Sequence, residues 1–327
     1  MGQPTGAYSQ YDANNINEDL EQVIYNVDPF DTPFFSKVAG RKKVKNIRHE
    51  WLTENLKSVD ANNAVIEGDD ATLETSQPTV RVSNIAQIMD KTVVITGTNE
   101  AVDHAGYKSA LAHQIMLRGR ELKRDTETIM LANQASVLGD DTTARKLGGL
   151  PTWLTTNTSR ASGGADGGYS QTTSLTVAAT DATTGLRTFA QSLLIEAQQS
   201  AFENGGEPDI LMMSPYQKTK FIDSTNFPGS AELRSNVPQG GAAKIVNNVE
   251  VYLGPFGTLK VMVNKWQRSR DVYLLDSEYL SVGTLRPLRQ WELAKSGDSE
   301  KRQMLHEVTL IVENQQASAV IADLATS

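Results

Sequence analysis

The chain has 327 residues, 39% of them hydrophobic, enough to pack one large domain or two moderate ones. It contains no cysteine, which excludes disulfides, thiolate-bound zinc and thiol nucleophiles. A net charge of −8 argues against a surface that holds nucleic acid tightly by neutralising phosphates.

The first residues, MGQPTGAYSQYDANN, lack the basic stretch and apolar run of a secretory signal. No apolar run approaches the roughly 20 residues of a membrane helix, so a soluble chain made in a cytoplasm is expected. Residues Met1–Asn17 are small and polar, a mobile arm unless a neighbour holds it. Asn17 is placed to cap a short helix. In Val27–Phe35, Pro29 and Pro33 oppose a helix while Phe30, Phe34 and Phe35 need a dry site. An extended segment that docks its aromatic rings is expected.

Val44–Thr53 and Thr79–Ile95 read as strands, joined by the acidic segment 54–77 with Glu67, Asp69, Asp70 and Glu74. Together they predict a two-stranded arm with a charged tip. Such a ribbon is marginal alone and exposes unpaired edges, so it needs a surface to lie on. Thr98 is placed to cap a short helix ending near Gly106. Tyr107–Gln134 shows a helical stripe of Leu111, Ile115, Leu122, Ile129 and Asn133, predicting a spine of roughly 40 Å.

Leu147–Trp153 reads as a hairpin or tight loop, and Thr155–Thr180, rich in Gly, Ser and Thr, as a flexible surface loop. Thr184 is expected to cap a helix burying Leu186, Phe189, Leu193 and Ala197 and ending at Gly205-Gly206. Asp209–Met213 reads as a buried strand, and Ser214-Pro215 starts a helix through Phe221. Phe227–Ala243 is Gly- and Pro-rich and predicted mobile. Asn248–Leu253 and Leu259–Asn264 form a predicted hairpin, with Val249, Val251, Leu253, Leu259, Val261 and Val263 inward. After short strands at Asp271–Asp276 and Tyr279–Gly283 comes a long alternating run. Met304, His306, Val308, Leu310 and Val312 lie on one face, and Leu305, Glu307, Thr309, Ile311 and Glu313 on the other.

Motifs that carry chemistry are missing from the sequence. His104 and His113 are nine residues apart, opposite faces of a continuous helix, and His49 and His306 fall on separate strands. Asp69-Asp70 and Asp140-Asp141 lack the spacing of a calcium loop. No phosphate loop, nucleophile turn or zinc-binding His-Glu-x-x-His helix occurs. The basic clusters, Arg41-Lys42-Lys43, Arg118-Gly-Arg120 and Lys123-Arg124, read as solvated faces or intersubunit charge pairs. Tyr273, Tyr279 and Trp291 read as core or interface anchors. The expectation is a non-enzyme with no cofactor and no metal.

The organisation, an α+β chain with an arm, a spine helix and a long closing strand, resembles the major capsid proteins of tailed bacteriophages, the Hong-Kong-97-like fold. The residues that carry the resemblance are Asp28-Pro-Phe-Asp-Thr-Pro-Phe34, His49-Glu-Trp-Leu-Thr53, Arg120-Glu-Leu-Lys-Arg-Asp125, Leu275-Asp-Ser-Glu-Tyr279, Ala294–Arg302 and Ile321-Ala-Asp-Leu324. They span most of the chain in the expected order, whereas Thr155–Thr180 shows no family pattern.

The resemblance implies an N-terminal arm (1–41), an extended loop (42–96), a peripheral domain (97–207 and 266–327, spine helix about 107–134) and an axial domain (208–265). It implies self-assembly through hexamers and pentamers into an icosahedral head around double-stranded DNA that is enclosed but not tightly bound. The implied partners are scaffolding, portal and decoration proteins, with no membrane; the short segment before Asp28 favours a separate scaffolding protein. Assembly is expected in the host cytoplasm. Candidate intersubunit contacts are Phe30, Phe34, Phe35, Arg41, Lys42, Lys43, Trp51, Glu67, Asp69, Asp70, Arg118, Arg120, Arg124, Glu300 and Arg302. A protein nanocompartment shell of the same fold, or a low-copy virion binding or tail module, are the alternatives.

Overall fold

The computed structural model describes residues 31–57, 59–68, 70, 76–104, 106–223, 225–227 and 250–326. The expected Asn17-capped helix, Phe30, Asp69 and most of the Phe227–Ala243 segment lie outside them. The prolines do not keep Val27–Phe35 extended throughout. Pro33, with φ −65° and ψ −39°, opens a π-helical turn at Phe34–Val38, because proline's fixed φ suits a first helical turn.

Strand β1 (Gly40–Lys43) follows. Of the predicted arm strands, the first is shortened and the second is divided. Arg48–Thr53 (β2) pairs antiparallel with Val80–Ile85 (β3), Arg48 opposite Ile85 and Thr53 opposite Val80. At Ala86, fully buried and donating its N–H to the Ile47 carbonyl, the chain leaves the arm. It then runs on as β4 (Gln87–Thr96), which belongs to a different sheet. Helix α1 (Gly97–Ala101) begins after Thr96, so Thr98 lies inside it rather than capping it.

The spine helix α2 spans Ala110–Leu131, shorter at both ends than its periodicity suggests. Ser109 caps it, its hydroxyl accepting from the Ala112 N–H at 3.1 Å. Twenty-two residues give a rod of about 33 Å. Apart from Ala110 at its start, its deeply buried residues crowd into the second half, Leu122, Thr126, Glu127, Met130 and Leu131, while Leu111, Ile115 and Ile129 are only half-buried.

The Gly/Ser/Thr-rich segment is more ordered than predicted. It holds β5 (Thr158–Ser159) and a ribbon of β6 (Gly168–Ser170) with β7 (Leu175–Val177). Reciprocal bonds stitch it to the end of the spine. Asn133 donates to the Ala179 carbonyl and accepts from its N–H (2.6 and 2.8 Å), and Ser136 and Thr176 exchange backbone-to-hydroxyl bonds (2.9 and 2.7 Å). Helix α3 (Gln191–Glu203) starts after Ala190 rather than Thr184, leaving Leu186 exposed.

Next come β8 (Ile210–Met213) and α4 (Pro215–Ile222), capped as expected by Ser214. The hairpin β9 (Val251–Gly254) and β10 (Gly257–Val263) pairs Leu259 with Tyr252. That register turns Leu259 inward and leaves Val251, Leu253 and Val263 exposed, contrary to the expected inward set. The chain closes with β11 (Val272–Leu275), β12 (Leu280–Glu292), β13 (Ser299–Val312) and β14 (Ala319–Ile321).

Two main sheets result, one ordered β1-β12-β13-β4 and one β5-β14-β11-β8-β10-β9. In the second, buried strands serve two cores with period two. Ile210, Met212, Tyr273, Leu275 and Val320 face one cluster with the spine and the first sheet. Leu211, Met213, Val272, Leu274, Ala319 and Ile321 face the other, against α3 and α4. The long closing strand supplies Met304, Val308, Leu310 and Val312 to the first cluster, the face its alternation predicted.

Candidate functional site

The predicted arm leaves the body as a bare ribbon. Beyond Leu52 (64% exposed), its tip holds Leu56, Val59, Val65 and Ile66 at 96%, 97%, 87% and 78% exposure. Aliphatic side chains so fully hydrated are a standing cost of roughly 1.5–3 kcal/mol each that burial against another surface recovers. The sequence shows the acids of this tip more readily than its aliphatic residues, although Ala64-Val65-Ile66 is a legible signal. Glu67 and Asp70 are exposed on the same tip.

The arm's root is anchored by a stack of aromatic rings. Trp51 lies 5.4 Å from Trp153, whose ring stacks on Tyr169 at 5.6 Å and 12°. Tyr169 and Ser83 share a hydroxyl hydrogen bond of 3.0 Å. Trp51, offered as an intersubunit contact, therefore makes this contact inside its own subunit.

Phe34 and Phe35 are also buried in their own chain. Glu127, fully buried on the spine helix, accepts the N–H of Phe34 at 2.8 Å and of Phe35 at 2.6 Å, and the Asn264 amide at 2.6 Å. Burial pushes the Glu127 carboxyl up, against the opposing pull of these hydrogen bonds. The sequence gives no local sign of this clasp, whose members are separated by more than ninety residues.

The basic triplet divides its roles. Arg41 lies over the Phe35 ring at 3.7 Å and donates to the Phe35 carbonyl. Lys42 pairs with Glu313. Lys43 points to solvent, with no ion pair among the described residues. The triplet lines a groove of about 630 Å³ with Arg286, Arg289 and Trp291 of β12. Arg286 and Arg289 were not singled out by sequence because no basic run marks them.

On the spine, Arg118 forms an ion pair with Glu121 (2.6 Å), and Arg124 lies 5.2 Å from the Trp266 ring centre. Arg120 is half-buried. At the far end of the closing hairpin, Arg302 pairs with Glu292 (3.0 Å) and Glu300 (3.8 Å). The candidates thus fall into separate places: arm tip, arm root, basic groove, spine face and hairpin end.

His104 and His113 both contact Tyr107, at 4.8 and 4.7 Å between ring centres. The chain bends before Ser109, so the opposite-faces argument from a continuous helix does not apply. Among the described residues no three His, Cys, Asp or Glu side chains are grouped to hold a metal ion. No helix among them is long and apolar enough to cross a membrane.

Comparison with known proteins sorts these possibilities. The capsid asymmetric unit of cyanophage A-1(L) matches 94% of this chain and 97% of its own at 12% identity, TM-score 0.66. The SrpI encapsulin complex from Synechococcus elongatus matches 95% and 94% at 10% identity, TM-score 0.54. At these identities the likeness establishes the fold, which phage heads and nanocompartments share. The major capsid protein of Escherichia phage Phieco32 is 29% identical across 98% of this chain and 97% of its own. The family model of the SU10 major capsid protein matches residues 3–325, so the chain belongs to that family: it is the major capsid protein of a tailed phage, a structural protein of the virion shell rather than an enzyme.

Proposed function

We propose that copies of this chain form hexamers and pentamers that close an icosahedral head around double-stranded DNA, with the arm of residues 42–96 lapped over the next subunit. The observation that carries this is the arm tip, whose aliphatic residues touch almost nothing in their own subunit. Hundreds of subunits in slightly different environments need a contact that reaches beyond its own subunit and is apolar at its end. Segment 208–265 faces the capsomer centre in this reading, supported by the exposed Val251 and Leu253 on the outermost strand of the six-stranded sheet. Residues 1–35 reach neighbours from the Glu127 clasp. The spine and the long hairpin, within 97–207 and 266–327, carry the peripheral contacts through Arg118, Arg120, Arg124, Glu300 and Arg302. A separate scaffolding protein, a portal and decoration proteins complete the head, assembled in the host cytoplasm.

The test replaces residues 54–77 with a short glycine linker. The subunit is expected to stay folded, with its thermal transition retained, while particle yield and resistance to dilution fall in sedimentation and negative-stain microscopy. Particles of normal yield and stability from the shortened chain would remove the arm from the assembly mechanism.

A further inference from the structure

We propose that the groove between β1 and the irregular half of β12 is the receptor for the acidic arm tip of a second copy of this chain. This rests on the arm-lapping reading above and names the surface on which the tip lands.

Three observations carry it. The first is charge. The groove is lined by Arg41, Lys42, Lys43, Arg286 and Arg289, with no acidic residue in its wall among the described residues. Glu313 and Glu307 lie behind it, holding Lys42 and Arg286. Lys43 and Arg289 are exposed and make no ion pair among the described residues. Segment 54–77 holds six acids against the single base Lys57, a net −5 of the chain's −8. A strongly acidic stretch and a basic concavity thus belong to one chain, and each is a natural complement for the other.

The second is shape. Among the described residues β1 is an edge strand, paired on one side only, in parallel with β12. Past Thr284, β12 shows two shifts of register against β13, at Arg286 and before Arg289, and these loosen it from its neighbour. Leu285, Pro287 and Trp291 provide an apolar part beside the cations. In the tip, Ala64-Val65-Ile66 is followed directly by Glu67-Gly-Asp-Asp70. An apolar triplet followed by acids matches an apolar wall flanked by bases, and an extended segment can pair its backbone with a free sheet edge.

The third decides the occupant. Leu56, Val59, Val65 and Ile66 of the tip are 78–97% exposed in their own subunit, so the described part of the tip does not bury them against its own body. A second copy is therefore the occupant. Nucleic acid, a different polyanion, leaves the aliphatic triplet without a role.

The experiment co-assembles isotopically heavy and light copies into particles and treats them with a zero-length carbodiimide, which joins amines to carboxylates in contact. Hybrid peptides linking Lys42 or Lys43 of one copy to Glu67 or Asp70 of another are expected in particles and absent from free subunits. Lys43→Glu with Arg289→Glu is expected to lower particle yield by about tenfold at moderate salt. Glu67→Lys with Glu74→Lys on the same chain is expected to restore it, which excludes a folding defect as the cause. Particles that form without hybrid links, and charge-reversed chains that assemble normally, overturn the groove as receptor while leaving the arm's role to its own deletion test. If the reversal abolishes only salt-sensitive binding of a duplex oligonucleotide, the occupant is nucleic acid and the proposal fails.

Discussion

Glu127 on the spine helix and Phe35 in the N-terminal segment meet through a 2.6 Å hydrogen bond from the Phe35 backbone to a carboxylate that has no solvent exposure. The same carboxylate takes the Phe34 N–H and the side-chain amide of Asn264, at the end of β10. One side chain therefore ties together the arm's point of attachment, the spine and the strand leaving the region proposed to face the capsomer centre. It also satisfies two N–H groups at the start of the Phe34–Val38 turn that have no partner within it. A carboxylate here is useful because it has lone pairs for all three donors at once.

Replacing Glu127 with Ala strands all three donors in the core. The expected cost is about 3 kcal/mol or more in urea unfolding, the penalty for several buried polar groups left unpaired. Glu127→Gln turns one acceptor into a donor that faces a backbone N–H, and should fall between Ala and the natural chain. An alanine variant within about 1 kcal/mol of the parent would mean that water or a neighbouring side chain substitutes for the carboxylate.

Two buried groups should make stability respond to pH in opposite senses. His306 packs edge-on to Phe35, and burial, then the charge of Arg41, lowers its imidazole to about 4. A histidine depressed in the folded state stabilises above its ordinary value and loses that contribution as pH falls through 6.5 toward 4. Asp271 is raised to about 6 by burial, against the pull of Arg268. A raised acid does the reverse: its contribution is complete below its ordinary value and is lost as pH rises through 6. Between pH 7 and 5 the two oppose each other, each on the order of 1–2 kcal/mol. Thermal unfolding of His306→Gln should therefore weaken less on acidification than the parent, and Asp271→Asn more. Parallel curves for all three proteins would exclude both groups as the source.

The sequence made the long elements legible and the junctions obscure. Strand β13 declared itself because its alternation is strict, and α4 because Ser214-Pro215 is a local cap signal. The division of the arm at Ala86 has no such mark: Val80–Ile85 and Gln87–Thr96 are equally strand-like, and only the Ala86 bond to Ile47 decides where the ribbon ends. The order in Thr155–Thr180 was hidden for a similar reason. Its glycines suggest freedom, yet a side chain on Gly167 would sit 2.2 Å from the Val177 carbonyl oxygen, so that glycine is there for close packing. Of the proposed assembly surface, the acidic tip and the Arg41–Lys43 triplet were visible, whereas Arg286 and Arg289 join them only through the pairing of β12 with β1.

The aromatic stack at the arm's root offers a separate test, because it links three distant segments whose loss is distinguishable. Trp153 is almost fully buried, with Trp51 on one side and Tyr169 on the other, and its indole N–H donates to the Gly148 carbonyl at 3.2 Å. Trp153→Ala removes the centre of the stack and is expected to cost about 3–5 kcal/mol. Tyr169→Phe keeps both ring contacts and loses only the hydroxyl shared with Ser83, so about 1 kcal/mol is expected. The two should also differ in where they act. With Trp153 gone, Trp51 loses its packing partner and its fluorescence should shift to the red as the arm's root becomes hydrated; the Tyr169→Phe spectrum should be unchanged. Equal destabilisation by both variants, with no change in Trp51 emission, would show that the stack serves the Thr155–Thr180 segment and leaves the arm's position to the backbone pairing of β2 with β3.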